Sequence, residues 1–565
     1  MMRLFWFSTK YILKYKYRFF LGCLLIIISN IFTLLPIPYI GKSIKIIKII
    51  FSDFVKHKID IFQYNTPNKL KITIVIYAII ISIIPMFCGI IKYHMRQCFM
   101  TTSRMIECDI KNEIFAHYQK LNLSFYKEHS TGDLINRLTE DVAHIRQYLG
   151  PALMYILNLI ILLIMVFIQM FRLNKSLSLY VIIPIPILCI IVCYIRKYLF
   201  PTIKNIQENK IIISSFIQEF CSGIHLIKLF SSENFLYKKY KKIIINYKNQ
   251  HITLSKVNTI LSSIIIFFLG NCNILILFFG GKKFLNGEIK EIGILAEFFT
   301  YINIIIFPFF ILNWIILTFE KAKISIKRIN QFFKNTSISI NKHLIKKKIY
   351  GKIQFINVSF IYNQKQYIFK KLSFSITKGK TLIITGKTGS GKTTIGKLMS
   401  KFYDSYCGKI LIDNISLKNY SLYFFRKNIS YVSQETYLFS DTIYNNIAFG
   451  SINKKIYPYQ VYEAAKNAMI DQEIIQFKNG YHTIIGKNGI TLSVGQKQRI
   501  CLARAIIKNP KIIILDDNFS AIDFFKKKLI IHFLQKKMKN STIVIITNDI
   551  SYISNFDLLF FLKTK

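Results

Sequence analysis

Residues 381–394, with the sequence TLIITGKTGSGKTT, contain a glycine-rich stretch that runs directly into a lysine and two threonines. The spacing G-x-x-x-x-G-K-T between a strand-like and a helix-like segment is typical of a loop whose backbone N–H groups surround phosphates. Lys392 is expected to reach the β- and γ-phosphates, and the Thr393 hydroxyl group to bind Mg²⁺. The pattern predicts a site for ATP and Mg²⁺. The nucleotide-binding residues that it predicts are Gly386, Lys387, Thr388, Gly389, Ser390, Gly391, Lys392, Thr393 and Thr394.

A second chemical feature is the pair of carboxylates in IIILDDNFSAID at residues 512–523. A buried strand that ends in carboxylates favours a cation or a catalytic role, because such groups are rarely left unpaired where an apolar run stops. Downstream of a phosphate-binding loop, Asp516 is expected to hold Mg²⁺ through its water shell. Asp517, one residue further along, is expected to face the attacking water.

Both features lie in the C-terminal part of the chain, which begins at about residue 351 where the sequence pattern changes. From there the runs GKIQFINVSF, TLIITG, IIILDD and STIVIIT read as short strands that alternate with helical segments. This alternation is typical of a nucleotide-binding domain built on a parallel sheet. We therefore predict an α/β P-loop NTPase domain over residues 351–565.

The first 320 residues are predominantly apolar and predict membrane-spanning helices. Six stretches are long enough to cross a bilayer when tilt and interfacial ends are allowed for. They lie near residues 19–40, 72–92, 153–171, 177–195, 261–281 and 296–317. Two long polar stretches with helical periodicity, 93–152 and 196–260, lie on the same side as the ATP site. The predicted fold is multi-domain, with an all-α six-helix transmembrane domain over residues 1–335 and a linker over 336–350 before the α/β domain.

The charge of the chain needs a separate interpretation, because the formal net charge is +49. Such a value would ordinarily suggest a partner with many phosphates, such as nucleic acid. The lysines are scattered through every loop, however, alongside an excess of Ile, Asn, Phe and Tyr, and these residue types share A/T-rich codons. We therefore expect no nucleic-acid partner, and we expect contacts with the lipid bilayer and its anionic headgroups.

The stretch between the two chemical features, TLSVGQKQRICLARAII at residues 491–507, resembles a known family signature. It is similar to the LSGGQ sequence of ATP-binding cassette (ABC) transporters, with Ser493, Gly495 and Gln496 matching and Val494 in place of the first glycine. With six spans before one ATPase domain, the resemblance implies an exporter of the half-transporter kind. It also implies that the three matching residues bind an ATP molecule held by a second half-transporter, since a helix start with Ser and Gly donates well to phosphate.

Other positions agree with this family. Tyr362 lies where the family has an aromatic residue that stacks on adenine, and Gln434, in YVSQETYLFSDTI, lies at the loop that links Mg²⁺ to the membrane domain. Two stretches in the polar loops, FYKEHSTGDLINRLTEDV and FIQEFCSGIHLIKLFSSENF, resemble the cytoplasmic loops whose short coupling helices touch the ATPase domains. The resemblance therefore covers nearly the whole chain.

The chain departs from the family at two positions with catalytic roles. Asp517 stands where the family normally has a glutamate that polarises the attacking water, and the shorter side chain loses about 1.5 Å of reach. Asn548 stands where the family has a histidine, and its amide cannot carry a positive charge to the transition state. The predicted catalytic set is therefore Asp517, Asn548 and Gln434, with Thr393, Gln434 and Asp516 at the metal.

These departures indicate that the ATP site on this chain has low activity. A homodimer would contain two weak sites, so a heterodimer with a more active half-transporter is the more economical hypothesis. This asymmetry resembles that of the bacterial multidrug resistance-like (Mdl-type) ATP-binding half-transporters. The resemblance implies ATP-driven export by alternating access across the cytoplasmic (inner) membrane, with the ATPase domain in the cytoplasm. An alternative is a non-catalytic regulatory or decaying ATP-binding subunit, and the exported substrate is left open.

Overall fold

The computed structural model describes residues 9–57, 68–129, 131–289, 291–334, 345, 347–362, 367–451, 456–486 and 492–562. The chain divides into two compact units. The first contains Met1–Gln119 and Ser130–Asn335, and the second contains Lys120–His129 and Thr336–Lys565. Most of the predicted linker, 336–350, lies outside the described residues.

The first unit is helical throughout the described residues. Its longest helices are apolar towards one end and polar towards the other, which fits elements that cross a bilayer and continue beyond it. Its α-helices are Lys16–Leu34, Ile37–His57, Asn68–Tyr118, Thr131–Asn136, Val142–Gln147, Leu153–Leu173, Lys175–Ile182, Pro184–Ser222, Ile224–Leu229, Glu233–Leu275, Gly281–Leu285 and Gly293–Lys334. Three π-helical turns, Arg137–Asp141, Tyr148–Ala152 and Ile276–Gly280, join consecutive helices.

Among the described residues, five helical stretches are long and apolar enough to cross a membrane. They are Lys16–Lys48, Ile72–Tyr118, Thr131–Leu173, Glu233–Leu285 and Gly293–Lys334. They contain five of the six predicted spans. The remaining prediction, 177–195, corresponds to the shorter apolar stretch Lys175–Leu188. The helix there is divided at Ile183, because Pro184 has no N–H to donate and begins a new helix.

The helices of the first unit approach one another closely where their side chains are small. Gly22 faces Phe99, and a Cβ atom at Gly22 would lie 2.7 Å from the Phe99 ring. Small residues at such contacts increase the van der Waals packing on which helix association in lipid depends. The centre of the unit is an apolar cluster that includes Val166, Met170 and Phe298, all fully buried.

The second unit is an α/β domain, and its strands form two sheets. The strands are β1 (Ile353–Ile361), β2 (Tyr367–Ile376), β3 (Thr381–Gly386), β4 (Cys407–Ile412), β5 (Ile415–Ser416), β6 (Ile429–Val432), β7 (Ile512–Asp516), β8 (Thr542–Ile546) and β9 (Leu558–Leu562). A five-stranded sheet with the order β6-β7-β8-β3-β9 is parallel throughout, and a four-stranded sheet with the order β2-β1-β4-β5 is antiparallel.

The parallel sheet determines where chemistry is possible in this unit. Strands β3, β7 and β8 are buried along almost their whole length, which explains why their sequences are continuous apolar runs. In an open parallel sheet, ligands bind beyond the carboxyl ends of the strands. The helices of this unit are Leu123–Glu128, Lys392–Met399, Leu422–Asn428, Ile443–Ala448, Pro458–Asn467, Asp471–Ile475, Val494–Ile506 and Phe524–Lys537.

One short helix of the second unit comes from a part of the sequence that otherwise belongs to the first unit. Leu123–Glu128 lies in the first of the two stretches predicted to form coupling loops, and it belongs to the compact unit that contains the sheets. Its Phe125 is buried. Leu123 packs against an apolar cluster that includes Ile395 and Leu398 of the helix Lys392–Met399, which we call the P-loop helix. The corresponding helix of the second stretch, Ile224–Leu229, belongs to the first unit.

Candidate nucleotide site

The glycine-rich loop follows β3 and turns directly into the helix Lys392–Met399. Gly391 precedes this helix with φ = 99°, a left-handed conformation that glycine adopts without steric cost. A Cβ atom at Gly391 would also lie 2.5 Å from the Ile368 side chain. The first N–H groups of a helix have no partner within it, so they and the loop amides are available to an anion.

Two side chains of this loop fit a phosphate ligand. The Lys392 Nζ atom donates to the Gly386 carbonyl at 2.6 Å and to the Lys387 carbonyl at 2.9 Å, so the ammonium group lies inside the loop. Burial lowers the pKa of Lys392, although Asp517 and Asp516 oppose that change. The buried Ser390 Oγ atom has no hydrogen-bond partner among the described residues. An anion inside the loop would supply an acceptor for this hydroxyl.

Asp516 ends β7 and is almost completely buried, with 1% of its surface exposed. Its two carboxylate oxygens accept hydrogen bonds from the Thr393 hydroxyl, at 3.0 Å, and from the Tyr431 hydroxyl, at 2.6 Å. Burial raises the pKa of Asp516, and these two hydrogen bonds act in the opposite direction. Carboxylate and hydroxyl oxygens are ligands suited to Mg²⁺, so Asp516 and Thr393 together could hold this ion beside a phosphate.

The three predicted catalytic residues lie beside Asp516. Asp517 has φ = 43°, a conformation that is uncommon for residues other than glycine, and its N–H donates to the Ile546 carbonyl at 2.8 Å. The Gln434 Nε2 atom donates to the Asp517 carboxylate at 3.2 Å. Asn548 follows β8 and is exposed. Burial and the neighbouring Asp516 carboxylate raise the pKa of Asp517.

One cavity of about 290 Å³ brings most of these residues together. It lies beyond the carboxyl ends of β3, β7 and β8, where the sheet order predicts a ligand. The predicted site residues that line it are Thr388, Gly389, Gly391, Lys392, Thr393, Thr394, Gln434, Asp516, Asp517 and Asn548. Gly386, Lys387 and Ser390 belong to the same loop but are not among the residues that line the cavity.

Tyr362 lies beside this cavity and not inside it. Its hydroxyl group is 3.2 Å from the Thr394 hydroxyl, which connects the tyrosine to the P-loop helix. Its ring makes edge contacts with Phe360 and Tyr403. The Lys127 Nζ atom lies 5.0 Å from the centre of the Tyr362 ring, a cation–π distance. Tyr362 also lines a second, wider cavity of about 660 Å³.

The predicted signature residues lie in a separate part of the second unit, with Ser493 exposed and Gly495 buried, and none of them lines the 290 Å³ cavity. Ser493 caps the helix Val494–Ile506, since its hydroxyl accepts from the Gln496 N–H at 3.2 Å while its own N–H donates to the Gln496 side chain at 2.9 Å. Gly495 is required by packing, because a Cβ atom there would lie 2.5 Å from the Ala521 carbonyl oxygen. Val494 is 58% exposed, so it meets no steric obstacle in this unit.

The signature helix is also tied to the segment that follows the two aspartates. Gln498, which is buried, donates to the Ser520 hydroxyl at 3.0 Å and accepts from the Ala521 N–H at 3.2 Å. Asn518 donates to the Gln498 carbonyl at 3.3 Å. Residues 518–521 therefore form a strap between the carboxylates and the signature, which we call the 518–521 strap.

An ion-pair cluster behind the signature was not predicted from the sequence. Glu473 accepts from both guanidinium nitrogens of Arg499, at 2.6 and 2.9 Å, and from Lys526 at 3.0 Å and Gln496 at 3.1 Å. Arg499 is buried, and Glu473 is its only carboxylate partner among the described residues, beside the Met469 and Gly495 carbonyls to which it also donates. A glutamate 26 positions before the arginine carries no sequence signal for the pairing, because the contact is tertiary. The Tyr431 hydroxyl on Asp516 was likewise not predicted.

The Glu473 cluster makes the stability of the second unit depend on pH. Partial burial raises the pKa of Glu473, but hydrogen bonds from Arg499, Lys526 and Gln496 outweigh that effect and lower the pKa from 4.5 to about 2. A carboxylate with a lowered pKa contributes stability that is complete above pH 4.5 and is lost as the pH falls through 2. We expect urea pulse proteolysis of the full chain to show this decline as the pH falls from about 5 to about 2. A Glu473→Gln variant should lack that part of the pH dependence.

A membrane-helical unit and a P-loop ATPase unit on one chain define an ATP-driven membrane transporter. Comparison with known proteins supports this class. Residues 19–309 match the family described as "ABC transporter transmembrane region", and residues 369–520 match that described as "ABC transporter". The chain therefore belongs to the ABC transporters, and it is an exporter-type half-transporter with an ATP-binding domain.

Individual relatives cover most of the chain. It is 33% identical to the uncharacterised ABC transporter ATP-binding protein YknU of Bacillus subtilis (strain 168), over 79% of this chain and 77% of that protein. It is 31% identical to the multidrug resistance-like ATP-binding protein MdlA of Buchnera aphidicola subsp. Baizongia pistaciae (strain Bp), over 92% of this chain and 89% of that protein. It is 32% identical to the ATP-dependent lipid A-core flippase of Wigglesworthia glossinidia brevipalpis, over 81% of this chain and 78% of that protein.

A solved structure shows the same fold over nearly the whole chain. It is the structure of a bacterial Atm1-family ABC exporter with ATP bound. The superposition covers 97% of this chain and 95% of that chain, with a TM-score of 0.85 and 21% sequence identity. The predicted fold class and the predicted family are therefore confirmed.

Proposed function

We propose that this chain is the low-activity subunit of a heterodimeric exporter in the cytoplasmic membrane. Its own site binds ATP with Mg²⁺ and hydrolyses it slowly, while a second half-transporter supplies the faster site. The observation that carries this proposal is the composition of the 290 Å³ cavity. Its loop and its metal-type ligands are complete, but the residues beside Asp516 are Asp517 and Asn548.

The binding residues have separable roles in this proposal. Lys392 and the loop amides neutralise the phosphates, and Asp516 with Thr393 holds Mg²⁺, which would neutralise charge on the phosphates when bound. Tyr431 keeps the Asp516 carboxylate oriented through its 2.6 Å hydrogen bond. Tyr362 stacks on the adenine, as the family resemblance implies. Lys392, Thr393, Asp516 and Tyr362 match the family pattern.

The catalytic residues are the weak part of the site. The Asp517 carboxylate is short, and it already accepts a hydrogen bond from Gln434. A general base must come within about 2.6 to 3.2 Å of the proton that it removes. Asn548 lines the same cavity and donates a neutral hydrogen bond at best. The geometry therefore supports tight binding with slow turnover.

The surface that carries Ser493, Gly495 and Gln496 supports the heterodimer. This surface lies outside the chain's own cavity, and the helix cap that shapes it is intact. A second half-transporter with a glutamate and a histidine at the two weak positions could use it to complete a fast site. The multidrug and lipid A-core names of the relatives make an amphipathic cargo a reasonable starting class.

The proposal is tested by measuring ATP binding and ATP turnover on the same preparation of the full chain in lipid nanodiscs. We expect saturable, Mg²⁺-dependent binding of a fluorescent ATP analogue together with turnover near the background rate. Rapid turnover by the chain alone would contradict the low-activity site, and absence of saturable binding would contradict the nucleotide site itself. Unimpaired export by a chain with no partner would contradict the heterodimer.

Asp516→Asn gives a direct prediction for the metal site. The amide cannot supply the negative charge that Mg²⁺ requires, and its single oxygen can accept from only one of the two hydroxyls that now donate to separate carboxylate oxygens. We expect the stimulation of ATP binding by Mg²⁺ to be lost, with metal-free binding reduced much less. Asp404→Asn, an exposed aspartate outside the cavity, serves as the control and should retain the stimulation. Equal Mg²⁺ stimulation in Asp516→Asn and the native chain would remove Asp516 from the metal site.

The alternative is a regulatory subunit that binds nucleotide and transports nothing. The observation that favours it is the same pair, Asp517 and Asn548, in an otherwise complete cavity. Reconstitution with a catalytically competent second half-transporter distinguishes the two. Transport that stops when Lys392 of this chain is replaced by alanine supports an active subunit, whereas transport that persists supports the regulatory role.

A further inference from the structure

A separate cavity, of about 500 Å³, lies in the second unit and shares no lining residue with the nucleotide cavity. Three chain segments contribute most of its wall. They are 347–352, directly before β1, 377–378, between β2 and β3, and 413–415, at the turn from β4 to β5. No motif in the sequence marks these residues, and the nucleotide site makes no use of them.

The cavity is unusually rich in positive charge. Four of its ten lining residues are lysines, namely Lys347, Lys348, Lys352 and Lys378. Lysine and arginine together make up 77 of the 565 residues of the chain, so this share is well above the general excess of basic residues. Lys378 comes from a different segment than the other three, so the tertiary fold brings these charges together.

The ammonium groups are close to one another. The Nζ atoms of Lys348 and Lys378 lie 5.9 Å and 6.0 Å from the centre of the same ring, that of Tyr350. The Lys352 Nζ atom donates to the Asn414 side chain at 3.1 Å. In the part of the chain that the structure describes, none of the four lysines forms an ion pair with a carboxylate. Like charges held together raise the energy of the empty cavity, and an anion would remove that cost.

The one carboxylate that lines the cavity is already engaged by the backbone. Asp413 accepts from the N–H groups of Tyr350, at 2.6 Å, Gly351, at 3.2 Å, and Lys352, at 2.9 Å. These hydrogen bonds direct its oxygens towards the main chain of the segment 347–352. Four ammonium groups against one carboxylate therefore leave a clear positive excess in the cavity.

The size and the donors of the cavity indicate the class of ligand. Cavities of about 300 to 1,000 Å³ are typical of small-molecule sites. Lysine binds phosphate as a point charge, and the Thr377 hydroxyl group offers a further donor. Several ammonium groups around one cavity match an anion that carries more than one phosphate.

We propose that this cavity binds a small anion with several phosphate groups, and that the bound anion fastens the segment 347–352 to the turn that carries Lys378. The lysines before β1 hold the anion from one side, and Lys378 holds it from the other. This segment overlaps the end of the predicted linker, 336–350, so the site would control how firmly the start of the second unit is held. The anion is either a soluble polyphosphate or the headgroup of a lipid with more than one phosphate.

The test measures the reactivity of each lysine in the full chain. The protein in nanodiscs of phosphatidylcholine, without nucleotide or Mg²⁺, is acetylated with an amine-reactive ester at increasing concentrations of inorganic tripolyphosphate. Mass spectrometry then gives the rate at every lysine. We expect saturable slowing of Lys347, Lys348 and Lys378, by about threefold or more, because an amine beside phosphate stays protonated. Absence of saturable slowing with every anion tested would overturn the proposal.

Two exposed lysines elsewhere measure the effect of general charge. Lys241 and Lys242 lie on the helix Glu233–Leu275, and their rates should change far less. Equal slowing of these two residues would show that tripolyphosphate follows the overall charge of the chain, and this result would overturn the proposal. Because each lysine is measured separately, binding at Lys392 in the nucleotide cavity is recorded apart from binding here, so this site and the proposed function can fail independently.

A second arm distinguishes the two sources of the anion. The same acetylation is carried out without tripolyphosphate in nanodiscs of equal parts phosphatidylcholine and cardiolipin, whose headgroup carries two phosphates. Slowing of the cavity lysines in these nanodiscs identifies a lipid headgroup as the ligand. Slowing by tripolyphosphate alone identifies a soluble polyphosphate.

A single substitution tests whether the two sides of the cavity share one ligand. Lys378→Gln leaves the segment 347–352 intact, yet the protection of Lys347 and Lys348 should then require about tenfold more anion or more. Lys378→Arg keeps the charge and should retain the native concentration dependence. Lys241→Gln, which removes one exposed charge elsewhere, should also retain it. Unchanged protection in Lys378→Gln would overturn the proposal.

Discussion

Asp517→Glu combined with Asn548→His should raise the ATP turnover of the purified chain by about a hundredfold or more, because a positioned general base alone contributes about 10² to 10⁴. The longer carboxylate regains about 1.5 Å of reach. The imidazolium adds a positive charge at the cavity wall beside the developing negative charge. The measurement is steady-state phosphate release by the full chain in nanodiscs at saturating ATP and Mg²⁺.

Two controls make this gain specific. Asp404→Glu adds the same methylene group to an exposed aspartate outside the cavity and should leave turnover at the native level. Lys392→Ala in the double variant should abolish the gain, because the phosphates then lose their cation. A double variant that remains at the native rate while still binding ATP would show that the slow step lies elsewhere, and the assignment of Asp517 and Asn548 would then be wrong.

Glu473→Gln should destabilise the second unit by about 1 to 3 kcal/mol, because the buried Arg499 loses its charged acceptor while Glu473 itself is only partly buried. The substitution preserves the size of the side chain but leaves the buried Arg499 guanidinium without its bidentate carboxylate. Lys526 and Gln496 lose the same acceptor. Pulse proteolysis of the full chain in urea, which reports the population of unfolded domains, is a suitable measurement.

An exposed ion pair in the same unit provides the matched control. Glu463 pairs with Lys537 at 3.1 Å, and both side chains are more than half exposed. Glu463→Gln should therefore change stability by less than about 1 kcal/mol. Equal effects of the two substitutions would show that Arg499 finds other partners when Glu473 is absent.

Most of the residues predicted for this chain's own ATP site line one cavity, because their positions are local features of strands and helices; their roles stay predictions. Lys392 and Thr393 begin a helix, Asp516 ends a strand, and Asn548 follows a strand. In a parallel sheet such positions must meet at one edge, so spacing along the chain is enough to predict a common cavity. The fold class followed from the same change in pattern at about residue 351.

Other features depend on contacts between distant parts of the chain, which no local pattern encodes. Glu473 meets Arg499, and Tyr431 meets Asp516, only because helices and strands pack in three dimensions. The helix Leu123–Glu128 belongs to the second unit, where Leu123 packs against the apolar cluster and Lys127 lies over the Tyr362 ring, and the pattern of a polar loop does not predict these contacts. The fourth predicted span was continuous in hydropathy, but Pro184 divides it into two helices.

The 518–521 strap connects the nucleotide cavity of the second unit with the signature surface. At one end it continues from Asp517, which lines the nucleotide cavity, and at the other end the Ala521 carbonyl leaves no room for a side chain at Gly495. Gln498 on the signature helix is hydrogen-bonded to Ser520 and Ala521 of this strap, so the two faces are in direct structural contact. If a ligand in the cavity changes the affinity of the signature surface for its own ligand, thermodynamic linkage requires the converse. A ligand at the signature surface then changes the affinity of the cavity by the same factor. In the proposed heterodimer, occupancy of this chain's cavity would therefore affect the signature surface even without hydrolysis, so that a site with slow turnover would still regulate its partner.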